Sequence, residues 1–489
     1  MKTLVRHLTP LAFVSIVMTA PVFSADIFKT DKQFAAKQYK LAKQGYTEAA
    51  KVGNPHAYYQ LATMYQKGLG VEKDTLNALI YMSMAADYPL EKAQTTFSSM
   101  MAPFNDDQKT TIYQVLKEHK QKAGKAIIQE QYFPVIKTEN LADKVTFNGE
   151  LAIDGKFFSE EYEDALLEFD EGSFTNDDGD LEEGDSLTLI MSAPKLPFLI
   201  LDHDIASDGS KRNLIDIQKM GSTLTIKDEY ALFPTPIPMF KDQPVEFVHR
   251  AYMGAATYSK FTMVHENEAM YENIIRSAKR LKSGTSLSDQ YQYAMALQSF
   301  TWLTQEEGEV DKRLLALSKQ GHPLAMFEHG LKLYREQNDI PKAIEWISLA
   351  ASYGLANAEY RLGKLLTTSP WVTYDEKKAL FWFESAVKKG HIPATLKTIE
   401  LNLTANDKSL HDQDRAEVLL DRIAAAQTNN PEYFYLLALS HKNRENRDYT
   451  QVITNLEKAI FMAQIKNWDT EEWQDLLAKL TQGSVTIVE

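Results

Sequence analysis

Asp202, His203, Asp204 and Asp208 are the first residues whose types could do chemistry, since carboxylates and an imidazole close together are a common ligand set for a divalent cation. The same residues follow the apolar run Leu199–Leu201 and run into the turn pair Asp208-Gly209. They therefore read equally as acids at the end of a strand, and that reading is preferred. A second candidate is the stretch from Asp170 to Asp185, which holds eight acids and no base. It lacks the alternating ligands and distal glutamate of a helix-loop-helix calcium site, so it reads as a solvated loop. His265-Glu266 has no second histidine at helical spacing, and neither a serine elbow nor a phosphate loop occurs. With no cysteine in the chain, thiolate nucleophiles, zinc thiolates, disulfides and an amino-terminal lipid anchor are all excluded. No catalytic residue, metal site or cofactor is expected, and the chain does not read as an enzyme.

The elements that position side chains repeat. From Ala57, the residues Leu61, Ala62 and Tyr65 fall on one helical face, and Gly68-Leu69-Gly70-Val71 ends that helix. Asp74 is placed to cap a second helix, whose stripe is Ala78, Tyr81, Ala85 and Ala86, and the cycle restarts at Ala93. Ala358, Leu362-Gly363, Asp375, Ala379, Trp382, Ala386, Gly390 and Ala394 repeat the pattern position by position. A third copy runs from Ala325 through Gly330, Ala343, Trp346, Ala350-Ala351 and Gly354 to Ala358, shortened by three residues in its loop. Partial copies end at Gly53 and Gly321. Small residues where two helices cross let the backbones approach, and the large aromatic of the second helix fills the groove to the next pair. His56, His322 and His391 beside prolines recur with the repeat and read as structural.

This pattern resembles the Sel-one-like repeat family, relatives of the tetratricopeptide repeats, over roughly residues 26–100 and 310–400. Pro89 stands where the first full copy should close on glycine, and the later copies lack the Gly-x-Gly turn. The resemblance implies a mainly α fold, a solenoid of helix pairs that serves as an assembly scaffold or adaptor, often in bacterial envelopes. Looser helical stripes follow at Ala416–Ile423, Tyr433–Ser440 and Ile453–Ala463, a divergent tetratricopeptide-like cap such as the end of an array needs.

Between the two helical blocks the period changes. Val145–Phe147, Leu151–Ile153, Ser186–Ile190, Phe198–Leu201, Leu214–Ile217, Thr223–Ile226 and Val245–Val248 are short and β-prone, with Asn148-Gly149, Asp154-Gly155 and Asp208-Gly209 as hairpin turns. Pro234, Pro236 and Pro238 argue against a central strand there. The expected organisation is a leader at 1–24, helical repeats at 26–132, an inserted β-rich domain at 133–265, repeats at 266–400 and the helical cap at 401–489. Locally, Leu199–Asn213 with Gly221-Ser222 and Gln243–Val248 is similar to the carboxy-terminal domain of TonB-type transducers. That family's membrane anchor and proline-rich spacer are missing, and the helix between its second and third strands is poorly signalled.

Recognition is the chemistry left to the repeats. Tyr59, Phe327 and Tyr360 occupy one repeat position, two residues into the first helix and opposite its apolar stripe. Thr63, Leu331 and Lys364 share that side, as do Gln66, Tyr334 and Thr367. In related solenoids this side lines the concave groove, where a row of aromatics can anchor a partner peptide. The competing reading is packing between repeats, and Tyr59, across the insertion from the others, can belong to a separate groove.

Lys2, Arg6 and His7, the apolar run Leu11–Met18 and small residues before Ala25 read as a cleavable export leader, cut after Ser24. The run is too short to span a bilayer, and nothing later is long enough. The formal charge of −14 becomes −16 once Lys2 and Arg6 are removed, leaving 51 basic against 67 acidic residues. Such a field disfavours nucleic acid and anionic lipid. The expectation is a periplasmic or secreted scaffold that binds an envelope protein. The alternatives are a TonB-like or transport-associated accessory acting through the β-rich domain and, with no motif behind it, a cell-wall enzyme.

Overall fold

The computed structural model describes residues 26–148, 150, 151, 196–233 and 235–481. The leader, the acidic run, the Asp154-Gly155 turn and the strand expected at Ser186–Ile190 lie outside the described residues. The first block comprises α1 (Ile27–Ala35), α2 (Tyr39–Lys51), α3 (Pro55–Lys67), α4 (Thr75–Ala85), α5 (Glu91–Met101), α6 (Asp106–Ala123) and α7 (Lys125–Tyr132). Its helix boundaries follow local chemistry. The Asn54 and Asp74 side chains accept the Ala57 and Asn77 amides at the starts of α3 and α4, and Gly68 closes α3 at φ +73°.

The central segment forms β1 (Thr146–Phe147), β2 (Glu150–Leu151), β3 (Phe198–Ile205), β4 (Lys211–Met220), α8 (Leu224–Leu232), β5 (Pro238–Phe240), β6 (Gln243–Pro244) and β7 (Phe247–Gly254). One sheet has the order β4-β3-β7, all antiparallel, and a smaller one has the order β2-β1-β5-β6. Two expectations are corrected. Thr223–Ile226, β-prone in isolation, opens helix α8, because Ile226 and Tyr230 one turn apart cover one face of β3 and β7. The proline segment does supply a strand flanked on both sides, β5. Pro238 is its first residue, where a missing N–H costs least, and its carbonyl accepts from Val245.

The second block follows: α9 (Lys260–Glu266), α10 (Glu268–Ser283), α11 (Leu287–Ser299), α12 (Glu309–Lys319), α13 (Pro323–Arg335), α14 (Ile340–Ser352), α15 (Ala356–Thr368), α16 (Glu376–Val387), α17 (Ile392–Thr404), α18 (Gln413–Ile423), α19 (Pro431–Asn443), α20 (Tyr449–Ile465) and α21 (Glu471–Thr481). Asp339 and Asp375 cap α14 and α16. His322 and His391 cap α13 and α17 through their Nδ1 atoms, at 3.2 and 3.1 Å. The small residues of the repeat sit where helices cross. A Cβ on Gly363 would stand 2.4 Å from the Phe383 ring, and one on Gly330 would stand 2.9 Å from the Ala343 carbonyl. In α20 the core takes Val452 instead of Ile453 at the head of the stripe.

The first block lies against the outer helices of the second. Trp382 Nε1 of α16 donates to the Tyr132 carbonyl at 2.7 Å, and Lys125 pairs with Glu345 of α14. Asn54 reaches the Ser352 carbonyl, and the Ile27 amide donates to the Tyr353 carbonyl. Residues 135–137 run beside the loop at 371–373, with Ile136 bridged to Val372. No described helix is long and apolar enough to cross a membrane.

Candidate interaction groove

The inner helices α11, α13 and α15 present one face, and the expected groove residues stand on it. Phe327, Leu331, Tyr334, Tyr360 and Lys364 are 8, 1, 3, 0 and 3% exposed. What covers them is the chain's own sheet. Phe247 of β7 stacks on Tyr334 with ring centres 5.6 Å apart, and Trp371 closes edge-on against both rings. Phe327 and Leu331 share a core with Ile205 and Val248. The reading of these five as an open surface is therefore corrected: the groove is filled from within, by the segment read as a separate β-rich domain.

Charge decides how the sheet sits. Asp202 and Asp204 alternate with His203 along β3, so both acids face the helices. Arg250, opposite Asp202 on β7, grips it with two bonds of 2.7 Å, and also pairs with Glu328 of α13. Gln298 of α11 donates to Glu328 at 2.9 Å, and Arg335 stands 3.8 Å from Asp202. Asp204 accepts from Arg361 at 2.6 Å and from the Tyr360 hydroxyl at 2.7 Å. Lys364 pairs with Glu246, and Ser299 with Gln218. Burial by itself would raise the pKa of Asp202, but Arg250 and Arg335 outweigh it and hold the carboxyl below its usual range. For Asp204, Arg361 and Lys364 likewise overcome burial. A network this dry is a weak source of net stability, yet removing one member strands its partners. It therefore fixes register more than it adds affinity.

The opposite face of the sheet is closed by α8. His203 lies edge-on to both Tyr230 and His249, and burial pushes its pKa well down, so the ring is neutral. Lys211 Nζ donates to the carbonyls of Tyr230 (2.8 Å) and Phe233 (2.5 Å), and burial lowers its pKa to about 7. Asp208 accepts from the Ser210 amide at 2.9 Å and the Asp469 amide at 2.8 Å, while Arg212 lies over Trp468, so the cap helices reach the β3–β4 turn. The acids singled out for metal chemistry thus serve as ion-pair partners and turn ligands, and among the described residues no three metal-binding side chains gather.

The first block leaves the same repeat position partly covered, with Tyr59 against the edge of the core. Tyr59 and Thr63 are half-buried and Gln66 is exposed. Lys92 of α5 lies 5.1 Å from the centre of the Tyr59 ring, and the Thr63 hydroxyl donates to the Tyr59 carbonyl. Sequence reasoning missed Glu328, Arg335 and Arg361, which carry the ionic half of the second groove. A signal was present: two acids two apart within an otherwise apolar strand need cationic partners once that strand is buried.

Helix pairs stacked in order around a lined inner face define an α-solenoid. The family model of the Sel1 repeat matches residues 55–87, 318–354 and 356–391, so the three full copies are Sel1 repeats. Among solved structures, a Sel1 repeat protein from Oxalobacter formigenes is 14% identical, with 82% of this chain and 99% of that chain covered and a TM-score of 0.28. A protective antigen of uropathogenic Escherichia coli strains displaying an SLR fold is 15% identical, with 94% of each chain covered and a TM-score of 0.26. Superpositions this loose carry no argument about arrangement or function. No curated protein matches the chain.

Proposed function

We propose that this Sel1 repeat protein is an exported, non-enzymatic scaffold that holds a protein partner of the cell envelope on the open inner face of its first block, around Tyr59 and Thr63. One observation carries the reading: copies of a single repeat bury the aromatic at this position in the second block, under a strand, and leave it half-buried, with part of the ring accessible, in the first. A surface that accepts a strand in one block is suited to accept an extended segment in the other. The leader-like start supports export. A photo-crosslinking residue at position 63 should capture one defined protein in intact cells, and Tyr59→Ala should remove that product while thermal unfolding stays unchanged. Capture that persists in Tyr59→Ala rejects the face.

A second reading, a TonB-like or transport-associated accessory, is favoured by helix α8, which lies between β4 and β7 of the three-stranded sheet, with β5 and β6 of the smaller sheet intervening, and supplies the helix the sequence signalled poorly. It expects capture to depend on the outer side of α8, where Leu224 is 73% exposed, and to be indifferent to Tyr59.

A further inference from the structure

A cleft of about 470 Å³ opens at the head of the second block, between α9, α10, α11 and the turn at Trp302–Gln305. Its floor is apolar: Ile275, Tyr293 and Trp302 line it. Its rim is cationic, with Lys260, Lys279 and Lys282, and no Asp or Glu lines it. Lysines elsewhere in the block are engaged by acids, as Lys332, Lys364, Lys389 and Lys397 are. Among the described residues Lys260, Lys279 and Lys282 have no carboxylate within ion-pair distance; Lys282 only meets Gln305 at 3.5 Å and lies over the Tyr293 ring. The Trp302 indole N–H is buried without an acceptor. Three ammonium groups with no carboxylate at ion-pair distance, Lys282 feeling only the more distant Glu309, form a local reversal of sign in a chain of formal charge −14.

We infer that this cleft is a docking site for an acidic peptide segment of a partner protein, one that carries an aromatic or branched apolar side chain among its carboxylates. The apolar side chain would lie on Trp302 and Tyr293. The flanking carboxylates would meet the lysines, and a backbone carbonyl or carboxylate would accept from the indole N–H. A volume of this size suits one large side chain with its backbone, and the charge complementarity selects acids over neutral sequence. The site is separate from the Tyr59 face and does not depend on the function proposed for it.

The test uses the full-length mature chain and a short fluorescent peptide of Glu and Asp around one Tyr, followed by anisotropy. The wild type should bind, with affinity falling as salt is raised. Lys279→Glu with Lys282→Glu should weaken binding by about tenfold or more, and Lys279→Arg with Lys282→Arg should preserve it. Both positions are exposed, so circular dichroism should report an unchanged fold. Equal binding of the Gln/Asn version of the peptide, or equal binding by the charge-reversed protein, overturns the proposal. So does failure to bind the acidic peptide, whether or not phosphatidylglycerol vesicles or inorganic phosphate bind in its place.

Discussion

Tyr59 and Tyr360 hold the same position in two copies of one repeat, and their surroundings differ. Tyr59 is partly open beneath a single lysine, while Tyr360 is sealed with its hydroxyl on Asp204. The neighbouring position explains the contrast better than the aromatic does. It is Gln60 in the first block, but Glu328 and Arg361 in the second, and these two meet Arg250 and Asp204 of the sheet. The repeat supplies a groove in either case. Charges one residue further along determine whether the chain fills that groove itself.

The strongest way to break this comparison is Arg250→Met. It leaves Asp202 and Glu328 with only the more distant Arg335, at 3.8 and 3.9 Å, in place of the cation bonded to both, and the expected cost is about 3–5 kcal/mol in urea unfolding. Gln60→Met in the first block should change stability by less than about 0.5 kcal/mol. Equal costs would mean that the ionic seam does not hold the sheet. Phe327→Ala with Tyr360→Ala, the change suggested by the groove seen in sequence, belongs with Arg250→Met and should loosen the sheet. Faster proteolysis of the 206–210 turn would report it.

Next in size is Gly363→Ala. The added Cβ would meet the Phe383 ring at 2.4 Å, so the ring and α16 must move, at a cost of about 1–3 kcal/mol in thermal unfolding. The first block carries Ala62 here, so its two helices already accommodate a methyl group. No loss in Gly363→Ala would show that the second block crosses its helices no more closely than the first.

Acid should act on the closed groove before it acts on the open one. His391 stacks on Tyr360 at 4.9 Å, and burial, with Arg361 adding to it, lowers its pKa to about 4; His203 is lowered in the same direction. In the unfolded chain these rings take protons near pH 6.5. The unfolded state therefore binds more protons below that value, and stability falls as pH drops from about 7.5 to about 5. For His391 alone the loss is up to about 2 kcal/mol. The depressed carboxylates Asp202 and Asp204 stabilise the fold above their unfolded values and give way only in strong acid. His391→Gln should flatten the slope between pH 7.5 and 5, and an unchanged slope would remove the ring from the account.

The repeat was legible because its periodicity is local. Gly363, Ala379 and Trp382 each announce a helix crossing or a groove filler within one helix pair. The outward-facing side was legible too, since helical geometry alone puts Tyr360 and Lys364 opposite the apolar stripe. What would cover that side was not legible, because Asp204 and Arg361 are 157 residues apart and no local pattern pairs them. The same blindness turned Asp202 and Asp204 into candidates for a metal or a turn. Helix α8 was hidden for another reason: Leu224-Thr-Ile226 is β-prone, and only the sheet face it covers makes it helical.

The smallest effect bears most directly on the open face. Lys92 is exposed and lies over the Tyr59 ring, a cation–π contact worth about 0.5–1 kcal/mol at such a site. Lys92→Met should therefore cost no more than about 1 kcal/mol in thermal unfolding, far below Arg250→Met. The same change bares the aromatic face that a partner would use. If Lys92 only shields the ring, crosslinking at position 63 should persist or rise in Lys92→Met while Tyr59→Ala abolishes it. If Lys92 is itself a contact, the two variants should lose the product together. A destabilisation as large as that of Arg250→Met would mean that the first block's face is packed as firmly as the second's, and the contrast between Gln60 and Arg361 would then explain nothing.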